Sequence, residues 1–199
     1  MSGEPFGPER VRERLRQLGS APRHRFRDLP NMEGVEFTDA AVLIPLTQIE
    51  DEIHVVFTRR SHDMREHSGE VSFPGGRADA CDETLVHTAL RESHEEIQLE
   101  PSAVNIYGAL VQMPTITGYS VTTFVGEFAQ PYELVANPEE ISTIFSVSLQ
   151  ALADETIHRI EEREYAGIVY PLHFYEVEGH VIWGATGYMV HLFLDYLTS

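Results

Sequence analysis

Phe73-Pro74-Gly75-Gly76, a loop through Asp79 and Asp82, and then Arg91-Glu92-Ser93-His94-Glu95-Glu96 form the stretch that decides how this chain is read. Leu85, Ala89, Leu90, Ser93 and Ile97 recur at helical spacing, which predicts a helix over Asp82 to Leu99 with one small or apolar stripe turned to a core. Glu95 lies three and Glu96 four residues beyond Glu92, so all three carboxylates project from roughly one face of that helix. Like charges at this spacing repel by about a few tenths of a kcal/mol per contact when exposed, and by more when partly buried. A hard divalent cation, which takes oxygen ligands, relieves that repulsion. Gly75 and Gly76 lack side chains, so their backbone can turn tightly and approach a ligand, and a carbonyl there could be a further ligand. Taken alone, Arg-Glu-x-x-Glu-Glu also describes the acidic face of an ordinary surface helix.

Working outward, strands are predicted at Ala40 to Leu46 and His54 to Arg59, separated by an acidic turn at Glu50-Asp51-Glu52. Downstream, strands are expected at Ile106 to Val111, Tyr119 to Phe128, Val169 to Phe174 and His180 to Trp183. A short helix is expected at Leu149 to Asp154 and a last helix at Thr186 to Leu197. Near the start, Pro8 to Leu18 reads as a helix with Val11, Leu15 and Leu18 on one face and Gly19 able to end it. The rest of that region is an arginine-rich connection, read as a solvated arm resting on an acidic body. Residues 1–38 are therefore set apart from a single main domain at 39–199.

A length of 199 residues with 42% hydrophobic residues suits one domain with a full core. The longest apolar runs, such as Ala40-Ala41-Val42-Leu43-Ile44, fall far short of a membrane span. The first residues lack the apolar stretch of a secretory signal, and Cys81, the single cysteine, cannot form an internal disulfide. A soluble, cytoplasmic protein without a membrane partner is the expectation. The formal charge of -18 opposes binding to a nucleic-acid backbone, so none is expected. All 14 basic residues are arginine, which excludes chemistry that depends on a P-loop or Schiff-base lysine.

The Gly-Gly turn, the Glu spacing and the Arg-Glu pair resemble the signature of the Nudix hydrolases: Gly, five residues, Glu, seven residues, Arg-Glu, an aliphatic residue, any residue, Glu-Glu, any residue, Gly, an aliphatic residue. Counting back from Arg91 puts the first signature Glu at Glu83 and the signature Gly on Arg77, so the loop here is one residue longer. Ser93 stands where an aliphatic residue is usual, and Gln98 replaces the late Gly, which leaves the C-terminal turn of the helix open. Upstream, Thr58, Arg60, Ser61, Arg65, Gly69 and Phe73-Pro74-Gly75-Gly76, with Asp79 and Asp82 after them, resemble the coenzyme A pyrophosphatase branch of that family. The resemblance runs from about Ala40 to Trp183.

It implies an α/β Nudix fold, a mixed β-sheet sandwiched between helices with a loop-helix-loop metal site. It further implies metal-dependent hydrolysis of the diphosphate of coenzyme A or a derivative, with magnesium or manganese held by Glu92, Glu96, Glu95 and Gly76. Phosphopantetheine, or its acyl form, and adenosine bisphosphate are the expected products. A Nudix diphosphatase for ADP-ribose or another nucleoside diphosphate derivative, and a non-catalytic nucleotide-binding Nudix module, are the alternatives. Either Glu95 or an acid from a later loop, for which Glu140 is the candidate, positions or deprotonates the water. Arg91 is expected to orient a glutamate. Arg60, Arg65 and His67 are the candidates for substrate phosphate; Arg59 and Arg60 point to opposite faces if the strand runs through both, and Arg60 is at the motif position. A homodimer is left open by analogy with the family.

Overall fold

The computed structural model describes residues 5–25, 36–61, 69–165 and 168–199. The larger of its two sheets has eight strands: β1 (His24–Arg25), β2 (Thr38–Ile49), β3 (Glu52–Arg60), β4 (Val71–Ser72), β5 (Gly75–Arg77), β6 (Val104–Pro114), β7 (Tyr119–Phe128) and β8 (Ile141–Ser148). Its order is β1-β6-β7-β2-β3-β4, with β5 on β2 and β8 on β3. β2 runs parallel to β7 and β1 parallel to β6, and the other pairs are antiparallel, so the sheet is mixed. A second sheet joins β9 (His158–Tyr165), β10 (Ile168–Val177) and β11 (His180–Ile182) in the order β11-β10-β9.

Helices cover both faces of the large sheet. On one side α2 (Leu85–Ile97) buries Ala89 and Ile97 against Ala41, Leu43, Val56, Ala109 and Phe124. On the other, α1 (Pro8–Leu15), α3 (Leu149–Leu152) and α4 (Gly184–Thr198) meet Ile44, Leu46, Val55, Phe57 and Val125. The alternation along β2, with Ala41 and Leu43 toward α2 and Ile44 and Leu46 away from it, is what a strand between two apolar layers requires.

β2 pairs with β5 at Ala40 to Val42 and with β3 at Leu46 to Ile49. This change of partner along one strand brings Gly75 and Gly76 alongside α2. Gly75 has φ 151, and a Cβ there would lie 2.3 Å from the Ala41 carbonyl oxygen, so only glycine fits so close to β2.

The expected helix over Asp82 to Leu99 is shorter, because Thr84 caps it and accepts a bond from the His87 amide. Asp82 remains in the preceding loop. At the other end Gln98 takes the left-handed conformation (φ 54, ψ 32) and closes the turn where glycine is usual, with its amide donating to the His94 carbonyl. Ser93 is fully buried because its Oγ donates to the Ala89 carbonyl at 2.7 Å, so an aliphatic position accepts a hydroxyl.

Five of the described strands lie outside the expected ones: the short β1, β4 and β5, and the longer β8 and β9. β8 alternates weakly, and β9 reads His-Arg-Ile-Glu-Glu-Arg-Glu-Tyr, whose charges pair along a sheet edge rather than alternating with core residues. The helix expected at Pro8 packs on the body through the face the sequence marks, and the connection just after it is tied to the sheet by backbone. Val11 and Leu15 sit in the main core, Arg12 pairs with Glu127 at 2.6 Å, and the Gly19 carbonyl accepts from the Ala109 amide. α1 ends at Leu15, short of Gly19, as the chain tightens into three-residue turns at Gln17 and Leu18.

Candidate metal and substrate site

The three glutamates of α2 have different surroundings. Steps of three and four residues straddle one helical turn, so Glu95 and Glu96 fall to opposite sides of Glu92. Glu96 turns toward the sheet and its side chain is 2% exposed; Glu95 turns outward and is 50% exposed. The single face expected for all three is therefore a face of two, Glu92 and Glu96, with Glu95 at its rim.

Gly76 places bare backbone against Glu92: a Cβ at Gly76 would lie 2.6 Å from its carboxyl carbon. The Gly75 amide lies 3.4 Å from Glu96 Oε2, and Arg60 Nη1 is 3.8 Å from Glu96 Oε1. Arg60 Nε is buried with no hydrogen-bond partner among the described residues. Arg59 diverges to the Gly69 carbonyl, across an irregularity in the β3–β8 register.

Burial pushes the Glu96 carboxyl up to about 8; Arg60 pulls it down, while Glu92 and Glu140 push it further up. Glu92 is raised by burial and by Glu95 and Glu140, against the pull of Arg91. Glu140 thus reaches the pair electrostatically from the loop before β8. That loop is tied in by backbone: the Asn137 amide donates to the Glu96 carbonyl at 2.8 Å, and the Ser61 amide donates to the Glu140 carbonyl at 2.7 Å.

Arg91 holds the other side. Its Nε and Nη2 donate to both oxygens of Asp82 at 3.0 and 2.9 Å, while Nη1 donates to Glu92 at 2.8 Å and Glu95 at 3.2 Å. Nη2 also donates to the Arg77 carbonyl. Asp82 accepts further bonds from Thr88 Oγ1 and the Asp79 amide, and the hydrogen bonds from Arg91 do most to hold its carboxyl well below the usual range. Glu83, where counting along the signature puts its first Glu, is exposed; the partner of Arg91 is Asp82, one residue earlier.

Among the described residues no three His, Cys, Asp or Glu side chains already converge in metal-coordinating geometry. The donor set nevertheless fits a hard divalent ion: one buried and one half-buried carboxylate, a nearby third acid and side-chain-free backbone against Glu92. Arg65 and His67 lie outside the described residues. His94 is exposed and meets Glu100 at 3.1 Å, and Cys81 is exposed in the loop. The contribution of Asn137 carried no sequence signal, since it acts through its backbone.

Comparison with known proteins gives the family and the fold. A domain family described as NUDIX domain matches residues 37–168. An uncharacterized Nudix hydrolase, NudL, of Photorhabdus laumondii is 37% identical over 153 residues, 76% of this chain and 81% of that protein. The protein of the same description from Yersinia pestis (strain Pestoides F) is also 37% identical, over 76% of this chain and 75% of its own. Among solved structures, a MutT protein from Methanosarcina mazei Go1 is similar with a TM-score of 0.52, at 17% identity over 82% of this chain and 94% of that one, a likeness of fold alone.

Proposed function

The chain belongs to the Nudix hydrolase family, enzymes that act on diphosphate bonds, and on that premise we propose that it hydrolyses the diphosphate of coenzyme A or its derivatives. The products are phosphopantetheine, or acyl-phosphopantetheine, and adenosine bisphosphate. The observation that supports this substrate is how the stretch from Thr58 to Gly76 is used. Thr58 Oγ1 is bonded to Ser72, Phe57 and Phe73 stack at 5.0 Å, and the strand so anchored delivers Arg60 to the edge of the carboxylate pair.

The family generally uses divalent metal ions. Glu92 and Glu96, with the Gly76 carbonyl and Glu95 as further donors, would hold magnesium or manganese. Such an ion, when bound, offsets charge on phosphoryl oxygens and lowers the pKa of water. Arg91, braced by Asp82, keeps the Glu92 carboxylate aimed toward Gly76. Arg60 takes a phosphate oxygen of the substrate, and its present contact with Glu96 is loose enough, at 3.8 Å, to yield to that partner. Arg65 and His67 complete the substrate contacts. Glu140 accepts the proton of the attacking water, with Glu95, already committed to Arg91, as the alternative base.

The test is incubation of the purified protein and magnesium or manganese with coenzyme A, an acyl-coenzyme A and ADP-ribose, with product identification. Phosphopantetheine and adenosine bisphosphate support the reading. Intact coenzyme A beside cleaved ADP-ribose assigns the enzyme to nucleoside diphosphate derivatives instead, and binding without turnover of any of them marks a non-catalytic module.

A further inference from the structure

On the face of the large sheet opposite α2, three histidines from three elements lie against one another. Nε2 of His158 on β9 and Nδ1 of His173 on β10 are 3.0 Å apart, a bond in which one nitrogen carries the proton and the other accepts it. His191 on α4 stacks on His173 with ring centroids 4.0 Å apart, and the far face of His158 meets Tyr175 at 4.5 Å. α4 comes close here, for a Cβ at Gly187 would lie 2.3 Å from the His173 carbonyl oxygen. The imidazoles are near parallel, at 7° for His158 and His173 and 16° for His173 and His191. Ring-nitrogen lone pairs lie in the ring planes, so those of parallel rings do not converge on one metal ion.

We propose that this stack is a proton-sensitive latch, which holds α4 on the β9–β10 hairpin while its imidazoles are neutral and loosens that contact when they become protonated. Two features of the geometry support it. The His158–His173 bond survives protonation of one ring, but protonation of both sets two N–H groups against each other within the β9–β10 hairpin on which α4 rests. Parallel cations at stacking distance repel unless a carboxylate faces them. The groups that face the stack are the neutral phenols of Tyr175 and Tyr188, Leu152 of α3 and Ala153 just after it, Phe6, and Asp195, one turn beyond His191 on α4. Asp195 is exposed and lines the open groove of about 240 Å³ beside His158 and His191, whereas His173 is buried. Burial first, then His191 and His158, lower His173 to about 4, and burial and His191 lower His158.

The sign follows. A histidine whose folded pKa is depressed adds stability that is complete above the unfolded value, near 6.5, and is lost as pH falls toward the folded value. For His173 at pH 5.5 this corresponds to up to about tenfold more opening than at pH 7.5.

The experiment is hydrogen exchange on the whole protein at pH 7.5 and 5.5, corrected for the intrinsic pH dependence of exchange. Amides of α4 and β10 are expected to gain up to about tenfold in opening at pH 5.5 relative to those of β7, and His191→Phe, which keeps a flat ring without the charge, is expected to reduce that gain while leaving the part due to burial of His173. An equal change in α4 and β7, or an undiminished gain in His191→Phe, overturns the proposal. If that variant does not fold, the comparison of α4 with β7 in the natural protein decides the question.

Discussion

Gly76 and Glu92 are in such close contact that a single methyl group on the glycine would lie 2.6 Å from the carboxyl carbon. The neighbouring Gly75 is equally crowded, but by backbone: the Ala41 carbonyl oxygen at 2.3 Å and the Val42 Cα at 2.6 Å.

The two glycines therefore predict opposite outcomes. In Gly76→Ala the Glu92 side chain can swing aside, so the fold survives while the displaced carboxylate costs on the order of 100-fold in kcat/KM. In Gly75→Ala nothing flexible yields and φ is unfavourable, so stability falls by several kcal/mol, about 3 or more. Thermal unfolding beside steady-state kinetics separates them. A folded, fully active Gly76→Ala removes Glu92 from the working site.

Asp82 acts through Arg91. Asp82→Asn leaves the guanidinium with a weaker partner and frees it to shift away from Glu92, so a stability loss of about 1–3 kcal/mol is expected at neutral pH, with a fall in kcat larger than any rise in KM. Because the Asp82 carboxyl is held below its unfolded value, its contribution is present above about pH 4 and lost as pH falls through the folded value. Acid titration of unfolding should therefore show a shallower loss in the variant. Glu83→Gln, at the exposed neighbour, should change neither quantity.

Glu96 titrates the other way. With its carboxyl pushed up to about 8, the folded metal-free protein holds a proton that the unfolded chain has lost above about pH 4.5, so this contribution is lost as pH rises toward 8. Metal-free protein should show a falling Tm over that window. Glu96→Gln should flatten the slope while abolishing turnover, and magnesium or manganese should raise the Tm of the natural protein at pH 8 but not that of the variant. A slope unchanged in Glu96→Gln would contradict this assignment.

Glu140 and Glu95 compete for the role of base. If Glu140 takes the proton, Glu140→Gln lowers kcat by about 100-fold or more and removes the acidic limb of the pH–rate profile, whereas Glu95→Gln, which loses one exposed contact with Arg91, costs about tenfold or less. The reverse ranking assigns the proton transfer to Glu95.

Much of the architecture was legible before any coordinates. The stripe from Leu85 to Ile97 specifies a helix whatever lies beneath it, because its 3.6-residue period is local, and the runs of apolar and β-branched residues in β2 and β7 are likewise local. The pairing of Gly75-Gly76 with three spaced glutamates was similarly a matter of chain order. β9 escaped because an edge strand with solvent on most of its length needs no apolar period, and its charges satisfy one another along the sheet.

The arrangement of the site depended on contacts between distant segments. Spacing put Glu95 and Glu96 on equal terms; only the sheet beneath α2 buried one and left the other in water. It could not reveal that Asp82 turns in to hold Arg91 while Glu83 stays exposed, since that depends on how the loop folds back on the helix. Nor could it bring Glu140 to the pair, which Asn137 and Ser61 accomplish through backbone bonds across long stretches of chain. The sequence by itself determined which acids lie on one helix and which glycines precede it. Tertiary structure decided which acids lose water and which arginine faces each, because desolvation and ion pairing depend on what packs across the gap, and periodicity carries no record of that.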